Sequence, residues 1–421
     1  MRNLHLTRNM VLVREGGTIQ AIYREGDGLV KRTLPVEQVR AVYAEASVTL
    51  KAGAAKLLMK RGIPVHFFGR DGSYLGTLWP REHLLAGEVL VRQAEHYIDS
   101  AKRLALASRF VRGATANMLR NLRHYRASGI PLDGAISTIE GMHSRIDSAK
   151  SVPELMAIEG NIRETYYLAW NELMPDEFRY TGRTRRPPRT MLDAMMSFGN
   201  SLTYAACLTE LYHTQLNPTI SYLHEPSERR FSLALDLSEV FKPVLVDRVI
   251  FKLVRQERFD ESNFDADLDR VVLNDAGKRR FLEAYEERLS MTVEARGTGR
   301  RVSHRGLIRL EAYKLLKHLL GMKEYEPVEV GYRMYAVLVY DVADQARMNR
   351  LRTLLRVHMN WVQNSVFEGE LSEGELRSIV MGIEGIIDHE VDSVIIYIMR
   401  SKDAVERKIL GMTKGNTDFI I

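Results

Sequence analysis

The sequence predicts a multidomain protein with a small β-rich N-terminal domain, a large all-α domain and a C-terminal α+β domain. Its 421 residues suffice for two or three domains of about 150 residues each. Its composition, 45% hydrophobic and 27% charged, supports packed cores and excludes disordered, collagen-like and disulfide-stapled proteins. The spacing of the apolar residues also changes twice along the chain. We therefore assign domains to residues 1–78, 79–325 and 334–421, with a linker at 326–333.

The first 78 residues have the pattern of short strands. Met10–Glu15, Thr18–Arg24 and Gln38–Tyr43 are rich in Val, Ile and Tyr, and glycine-containing turns separate the first strands. One helix is predicted over Lys51–Arg61, and the apolar run Ile63–Phe68 follows it. This part of the chain therefore predicts a small β-rich domain.

Long helical periodicity replaces this pattern after Pro80. Residues 82–320 contain few glycines and several stripes of Leu, Ala and Met at helical spacing, which predicts an all-α domain.

The pattern changes again after the linker. The predicted elements are a strand in MYAVLVYD, a helix at Asp344–Met359, a strand at Trp361–Glu368, a helix at Ser372–Ile386 and a strand at Ser393–Met399. This order is one strand short of the β-α-β-β-α-β order of the ferredoxin-like plan, which is the nearest match.

The charge is distributed unevenly. The chain carries a net charge of +6, but residues 334–421 carry −3, with 10 Lys and Arg against 13 Asp and Glu, which leaves +9 for residues 1–333. A basic body indicates a polyanionic partner such as a nucleic acid. The alternative is that +9 over 333 residues is an ordinary surface.

The sequence also indicates a soluble, cytoplasmic protein without membrane contacts. Its start lacks the apolar core of a signal peptide, and no run approaches the ~18 apolar residues of a membrane span. The single cysteine, Cys207, cannot form an internal disulfide, which suits a reducing compartment. We interpret Cys207 as a core residue and not as a nucleophile.

One carboxylate lies on the apolar face of a predicted helix. Ser151 and Glu154 have the spacing of a capping box, and four apolar residues between 155 and 166 form one stripe at about 100° per residue. Glu159 falls inside this stripe. Because burial of a lone carboxylate is costly, Glu159 should have a metal ion or a cation as its partner. The alternative to a metal or catalytic role is a structural ion pair, for example with the nearby Arg163.

A second cluster combines a histidine with acids. Asp236 and Glu239 are three residues apart, so they share one face of a helix, and His224 is far enough upstream for a loop to fold it back onto them. One imidazole with two or three carboxylates suits Mn²⁺ or Mg²⁺ better than Zn²⁺. The alternative is that His224 is an ordinary surface or core histidine.

Several spaced blocks resemble the signature blocks of the CRISPR adaptation integrase, the Cas-one family. The blocks are IEGN, RPP followed by SFG at Ser197–Gly199, YLHEP and LALDLSEVFKP, and the resemblance covers residues 1 to about 325. One departure is Asp193-Ala-Met-Met, where many members of the family carry Asn-Ala; it does not touch an expected ligand.

This resemblance implies a metal site and a reaction. The family's metal ligands match Glu159, His224 and Glu239, which are also the expected catalytic residues, and Asp236 matches a further family acid that we include as an assisting ligand. The implied ion is Mn²⁺ or Mg²⁺.

The C-terminal segment resembles the small partner of that family, the Cas-two protein. MYAVLVYDV matches its first strand, and Asp341 lies where the family has a metal-binding Asp; the alternative for Asp341 is turn or helix capping together with Asp344. The resemblance implies that this domain acts as a scaffold or as a nuclease. It also implies a homo-oligomer formed through both modules, and we expect the tail Asn416–Ile421 to add a strand to a neighbouring subunit.

Arginine-rich stretches indicate DNA contacts, because guanidinium groups bind phosphate through paired hydrogen bonds. No acid occurs between Asp99 and Asp133, while seven basic residues do: Lys102, Arg103, Arg109, Arg112, Arg120, Arg123 and Arg126. Two further groups comprise Arg179, Arg183, Arg185, Arg186 and Arg189, and Arg296, Arg300, Arg301 and Arg305. Each could instead be a solvated helix face. Our DNA-contact candidates are Arg163, Arg183, Arg185 and Arg186.

We therefore expect a CRISPR spacer-acquisition enzyme. The resemblance implies that the 3′-OH ends of a short DNA duplex attack the CRISPR repeat next to its leader by metal-dependent transesterification. One alternative is a metal-dependent DNA or RNA endonuclease that trims without joining. The other is a non-catalytic DNA-binding scaffold.

Overall fold

In the computed structural model the chain forms two compact units, Met1–Glu329 and Val330–Ile421. The structure describes residues 2–184, 187–226, 231–257, 259–267, 270–295, 300–330, 334–371 and 373–399. The predictions for Arg185, Arg186, Arg296 and the tail Asn416–Ile421 lie outside the described residues. The first unit contains both the β-rich and the helical regions.

The β-rich region begins the first unit. Its strands are Arg2–Leu6 (β1), Met10–Glu15 (β2), Thr18–Glu25 (β3), Gly28–Leu34 (β4), Val39–Ala44 (β5), Val48–Leu50 (β6), Val65–Phe68 (β7) and Tyr74–Leu78 (β8). They form two sheets, ordered β1-β5-β7-β8 and β4-β3-β2-β6. Helix α1, Ala52–Lys60, contributes Ala54, Leu57 and Leu58 to the apolar core that both sheets share.

The predicted strands of this region are present within one or two residues of their expected ends. The sequence did not predict β1, β4, β6 and β8. Strand β4 shows the reason, because most of its side chains are exposed and it therefore lacks an apolar alternation. Its conformation comes from antiparallel pairing with β3, from Ile19 opposite Leu34 to Glu25 opposite Gly28.

The helical region follows in the same unit. Its helices are Gly87–Ile98 (α2), Ser100–Arg126 (α3), Asp133–His143 (α4), Val152–Leu168 (α5), Met191–Tyr212 (α6), Ser232–Lys242 (α7), Arg248–Gln256 (α8), Asp275–Ser290 (α9) and His304–Leu319 (α10). Within the part of the chain that the structure describes, no helix is both long and apolar enough to cross a membrane.

The prediction that this region is entirely helical is wrong in two places. Two short antiparallel hairpins interrupt the helices, formed by Phe264–Asp267 (β9) with Arg270–Leu273 (β10) and by Thr292–Ala295 (β11) with Arg300–Ser303 (β12). Each strand has four residues, so none carries enough alternation to stand out from the surrounding helical pattern.

Helix α6 runs through the core of this region. Most of its residues are buried, including Cys207, which is fully buried as predicted. A Cβ atom at Gly199 would come within 2.5 Å of Val246 Cγ1 and 2.9 Å of Phe281 Cζ. The glycine of the SFG block therefore allows the close packing of α6 against the segment that follows α7.

The first part of the expected linker is packed against the helical region. Tyr325 is fully buried, and its hydroxyl donates to Glu311 at 2.9 Å. Pro327 packs on Gly113 of α3, where an added Cβ would come within 2.5 Å of Pro327 Cβ. Asn117 of α3 donates its side-chain amide to the carbonyl of Val328 at 3.1 Å. We call residues 324–329 the strap; it belongs to the first unit.

The second unit has the full β-α-β-β-α-β order. Its elements are Met334–Asp341 (β13), Gln345–His358 (α11), Asn360–Gln363 (β14), Val366–Leu371 (β15), Glu373–Glu384 (α12) and Ser393–Met399 (β16). The antiparallel sheet is ordered β14-β15-β13-β16. The predicted strand at Trp361–Glu368 is a hairpin that turns at Asn364, whose φ is 22°, and it supplies the strand that the predicted order lacked.

Candidate metal centre

Helix α5 places Glu159 at the site. Ser151 caps the helix by accepting a hydrogen bond from the Glu154 N–H at 3.3 Å, and Leu155 and Ile162 are fully buried on its inner face. Glu159 lies on the same side of the helix and its side chain is 18% exposed. Its position on the apolar stripe is as the sequence predicted.

The loop between α6 and α7 folds back so that His224 contacts Asp236 of α7. Asp236 is fully buried, and its carboxylate accepts the backbone N–H groups of Tyr222 at 2.7 Å, Leu223 at 3.0 Å and His224 at 3.0 Å. The same carboxylate lies 2.8 Å from His224 Nδ1. Since an ionised carboxylate only accepts hydrogen bonds, Nδ1 carries the proton and the lone pair is left on Nε2. Nε2 lies 3.9 Å from Glu239 Oε1.

Two cations of the chain neutralise the carboxylates of this site. Arg163, one turn after Glu159 on α5, donates Nε–H to Glu159 and an Nη2–H to Glu239. Lys242, one turn after Glu239 on α7, donates to the other oxygen of Glu239 at 2.5 Å. The ion pair between Glu159 and Arg163, which was the alternative interpretation of the sequence, is therefore present. Arg163 is only 14% exposed, so in this arrangement it lies at the carboxylates and not on an open DNA-binding surface.

The electrostatics of the site follow from burial and these pairs. Burial alone would raise the pKa of Glu239, but the charges of Arg163 and Lys242 hold it well below its usual range. Burial alone would lower the pKa of His224, but the hydrogen bond to Asp236 and the charges of Asp236 and Glu239 raise it. The pKa of Lys242 is lowered, chiefly by burial.

A further buried carboxylate lies against α5, and it was not among the site residues that the sequence predicted. Asp247 ends a π-helical segment, Pro243–Asp247, that continues α7, and it accepts the Tyr166 hydroxyl at 3.0 Å. Burial raises the pKa of Asp247 to about 7, although the Tyr166 hydrogen bond and the charge of Arg163 act in the opposite direction. Asp247 ends the apolar run PVLVD, so the signal that identified Glu159, an acid among apolar residues, could also have identified Asp247.

The side chains of this site are of the types that bind a divalent cation, but their present arrangement does not hold one. Two carboxylates and one imidazole with its lone pair on Nε2 are suitable ligands for Mn²⁺ or Mg²⁺. Glu159 and Glu239 already converge on one positive group, the Arg163 guanidinium. Among the described residues, no group of three or more His, Cys, Asp or Glu side chains is arranged to hold a metal ion. An ion that bridges Glu159 and Glu239 would therefore have to take the place of the guanidinium.

The other predicted site residues lie elsewhere. Asp341 is exposed at the end of β13, and the capping role belongs to Asp344, which accepts the Arg347 N–H at 2.8 Å. Arg183 is partly buried, with its Nε lacking a hydrogen-bond partner among the described residues, and its charge acts on Asp247.

The first basic group is paired within the chain. Each of its seven members forms an ion pair in the structure. The pairs are Lys102 with Glu95, Arg103 with Glu225, Arg109 with Glu324 and Glu326, Arg112 with Asp147, Arg120 with Glu329, Arg123 with Glu140, and Arg126 with Asp133. These acids come from other helices, a loop and the strap. In this structure the group is thus paired with acids of the same chain; the alternative interpretation was a solvated helix face, and DNA contact by this group stays a prediction.

Comparison with known proteins identifies the family. A family model described as CRISPR associated protein Cas1 matches residues 4–287. The chain belongs to the Cas1 family. A second model, CRISPR associated protein Cas2, matches residues 334–407, so the chain is a Cas1–Cas2 fusion. The boundary between the two matches agrees with the division into a Cas1 unit and a Cas2 unit.

Individual relatives agree with this assignment. A protein of Methanothermobacter thermautotrophicus named CRISPR-associated endonuclease Cas1 is 48% identical over 326 residues, which cover 77% of this chain and 94% of that protein. The solved structure of a Cas1 protein from Thermotoga maritima is 38% identical, with a TM-score of 0.69, covering 78% of this chain and all of that chain. A casposase bound to integration product matches with a TM-score of 0.70 at 21% identity, covering 78% of this chain and 93% of that chain; at this identity the likeness concerns the fold alone.

Proposed function

We propose that this protein integrates short DNA duplexes into a CRISPR array, with Glu159, His224 and Glu239 as its catalytic metal ligands. The observation that carries the proposal is the convergence of these three side chains from α5, α7 and the loop before α7. The name endonuclease carried by the Methanothermobacter relative and the casposase-like fold support a reaction at phosphodiester bonds.

The side chains around the site favour a nucleophile supplied by DNA. The chain's one thiol, Cys207, is buried, and burial raises its pKa well above the usual value, so it is a poor nucleophile. A bound Mn²⁺ or Mg²⁺ would polarise the phosphate and favour ionisation of a 3′-OH. Nε2 of His224 would face this ion, while Asp236 acts through His224 as a positioning residue and not as a direct ligand, because its oxygens are already used.

For the Cas2 unit we propose a scaffolding role within a homo-oligomer assembled through both modules. The exposed position of Asp341 leaves it free for a metal in principle, but its neighbours Asp344 and Asp392 are engaged in local hydrogen bonds. Replacement of Asp341 by alanine should therefore leave integration unchanged. A particle mass showing only monomers on the DNA duplex would contradict the assembly.

An integration assay tests the enzymatic proposal. Labelled duplex is mixed with supercoiled plasmid that carries a CRISPR leader and repeat, in Mn²⁺ or Mg²⁺. Glu159→Gln should abolish transfer of label to the plasmid. Glu164→Gln is the matched control on the same helix, since Glu164 faces away and accepts the Tyr180 hydroxyl at 2.9 Å.

The assay also separates the alternatives. Label that is shortened but never joined would favour the endonuclease. DNA binding without any chemistry would favour the scaffold.

A further inference from the structure

The two carboxylates of the proposed metal centre share a positive group that belongs to the chain itself. The guanidinium of Arg163 reaches Glu159 with Nε and Glu239 with Nη2, so a single planar group bridges side chains from α5 and α7. A lysine at this position would present its three donors on one compact ammonium nitrogen and not on a planar fork, so both carboxylates would have to converge on that single atom.

The environment makes this bridge strong. The side chains of Arg163 and Glu239 are 14% and 8% exposed, so water screens their attraction only weakly. Burial alone would lower the pKa of Arg163, but the two carboxylates raise it well above its usual value, so the guanidinium stays charged.

A divalent ion would need the same oxygen atoms. Arg163 contacts one oxygen of Glu159 and one oxygen of Glu239, and Lys242 contacts the other oxygen of Glu239. Because the guanidinium lies between the two carboxylates, an ion that bridges them would take its place, and the freed cation would also repel the ion at close range.

We propose that Arg163 is the resident counter-cation of this site, competing directly with the divalent ion for Glu159 and Glu239 and so setting the metal affinity. This inference rests on the proposed function, because it takes these two residues as metal ligands. In the metal-free protein Arg163 holds α5 and α7 together and prevents repulsion between the carboxylates. On metal binding it is displaced.

The competition predicts opposite effects on stability and on metal binding. Arg163→Gln removes the bridging charge, so the metal-free protein should unfold at a lower temperature in EDTA. The same variant should bind Mn²⁺ at least ~10-fold more tightly, since no internal ion pair has to be broken. A merely structural arginine would give the reverse, because misplaced carboxylates would bind Mn²⁺ more weakly.

The experiment measures free Mn²⁺ by its electron paramagnetic resonance signal during titration of the full-length chain without DNA. Arg163→Lys is included in case the glutamine variant does not fold; it retains charge but loses the fork, so its affinity should lie between those of the wild type and the glutamine variant. Arg123→Gln is the matched control, since Arg123 pairs with the surface residue Glu140 at 2.7 Å, and this variant should leave the affinity unchanged. Glu239→Ala identifies which binding belongs to this site.

The outcomes separate this inference from the proposed function. Tighter Mn²⁺ binding in Arg163→Gln that disappears when Glu239 is also replaced would support the competition. Equal or weaker binding, with wild-type binding still dependent on Glu239, would overturn the competition and leave the metal centre in place. If neither protein shows Mn²⁺ binding that depends on Glu239, both proposals are wrong.

Discussion

The hydrogen bonds of Asp236 decide which nitrogen of His224 carries the proton, and an Asp236→Asn substitution should reverse that choice. One carboxylate oxygen accepts the N–H groups of Tyr222 and Leu223, and the other accepts the N–H and the Nδ1–H of His224. In the variant the amide oxygen should stay with the two fixed donors of Tyr222 and Leu223. The amide NH₂ then faces His224, which can accept from it only with an unprotonated Nδ1. The proton moves to Nε2, and the lone pair that a metal needs is lost.

The magnitude follows from these contacts. The substitution loses the hydrogen bond from the His224 backbone N–H to a charged acceptor, which destabilises the fold by about 1.5–3 kcal/mol. Loss of a carboxylate behind a metal-binding histidine lowers metal affinity or activity by roughly 10- to 100-fold, and a reversed tautomer in a serine protease lowers the rate by about 10⁴. We therefore expect integration to fall by at least ~100-fold in a protein that is still folded at 25 °C.

The control is Asp193→Asn. Asp193 is also buried, but a single one of its oxygens accepts both the N–H of Thr184 at 3.2 Å and its hydroxyl at 2.6 Å, so an amide oxygen can serve both. This variant should integrate within a few-fold of the wild type. The ¹⁵N shifts of the His224 ring report the tautomer directly. If Asp236→Asn keeps the proton on Nδ1, or integrates as well as the Asp193 variant, the argument from tautomer is wrong.

Three further predictions concern other parts of the Cas1 unit. Gly160→Ala should stabilise α5 by about 0.5–1 kcal/mol, since an added Cβ meets no atom within 4 Å. The same variant should integrate less DNA if the DNA approaches beside Glu159. Gly141→Ala on α4, where an added Cβ also meets no atom, should stabilise the protein without this loss of integration. His5 is partly buried, with a side chain 13% exposed, and its two ring nitrogens lie 2.8 and 3.0 Å from the carboxylates of Glu45 and Glu286; desolvation lowers its pKa, but these hydrogen bonds raise it to about 9. Because the pKa of His5 is higher in the folded protein than in the unfolded chain, where it is about 6.5, this histidine should contribute up to ~3 kcal/mol to the free energy of unfolding below pH ~6.5. The contribution should be lost as the pH rises through ~9, which urea unfolding measures. His5→Gln should remove this dependence of the unfolding free energy on pH. Tyr325→Ala should destabilise the Cas1 unit by about 3–5 kcal/mol in the same assay, while unchanged stability would show that the strap is not packed in solution.

The sequence predicted where the expected ligands lie better than what surrounds them. Glu159 was found because an acid on an apolar stripe contradicts the helix pattern, and that signal depends only on residues of one helix. The sequence could not show that Asp236 accepts three backbone N–H groups, because every residue other than proline has such a donor. The alternative partner of Glu159 was visible in Arg163, but its second contact, with Glu239, joins residues 76 positions apart.

The same limit explains the errors in the fold and the ion pairs of the basic group that the sequence did not reveal. The segment Trp361–Glu368 was predicted as one strand because the residues on both sides of the turn are β-forming. Within this segment, the residue type of Asn364 indicates a turn. The basic group on α3 appeared unpaired because the helix contains no acid after its N-cap residue, Asp99. Its partners lie elsewhere in sequence: Arg103 pairs with Glu225, and Arg120 pairs with Glu329 of the strap.

The charges of the proposed centre have a consequence for the order of binding. Without a metal, Glu159 and Glu239 pair with Arg163 and Lys242, and Asp236 contacts His224, so the formal charges of these side chains sum to −1 while His224 is neutral. A DNA phosphate approaching this site would meet a negative potential with both nearby cations already engaged. In the proposed competition, a bound divalent ion would change this formal sum to +1 and would free the guanidinium of Arg163. Attraction of the scissile phosphate is therefore expected only after the ion has bound, which makes metal binding the step that prepares the site for DNA.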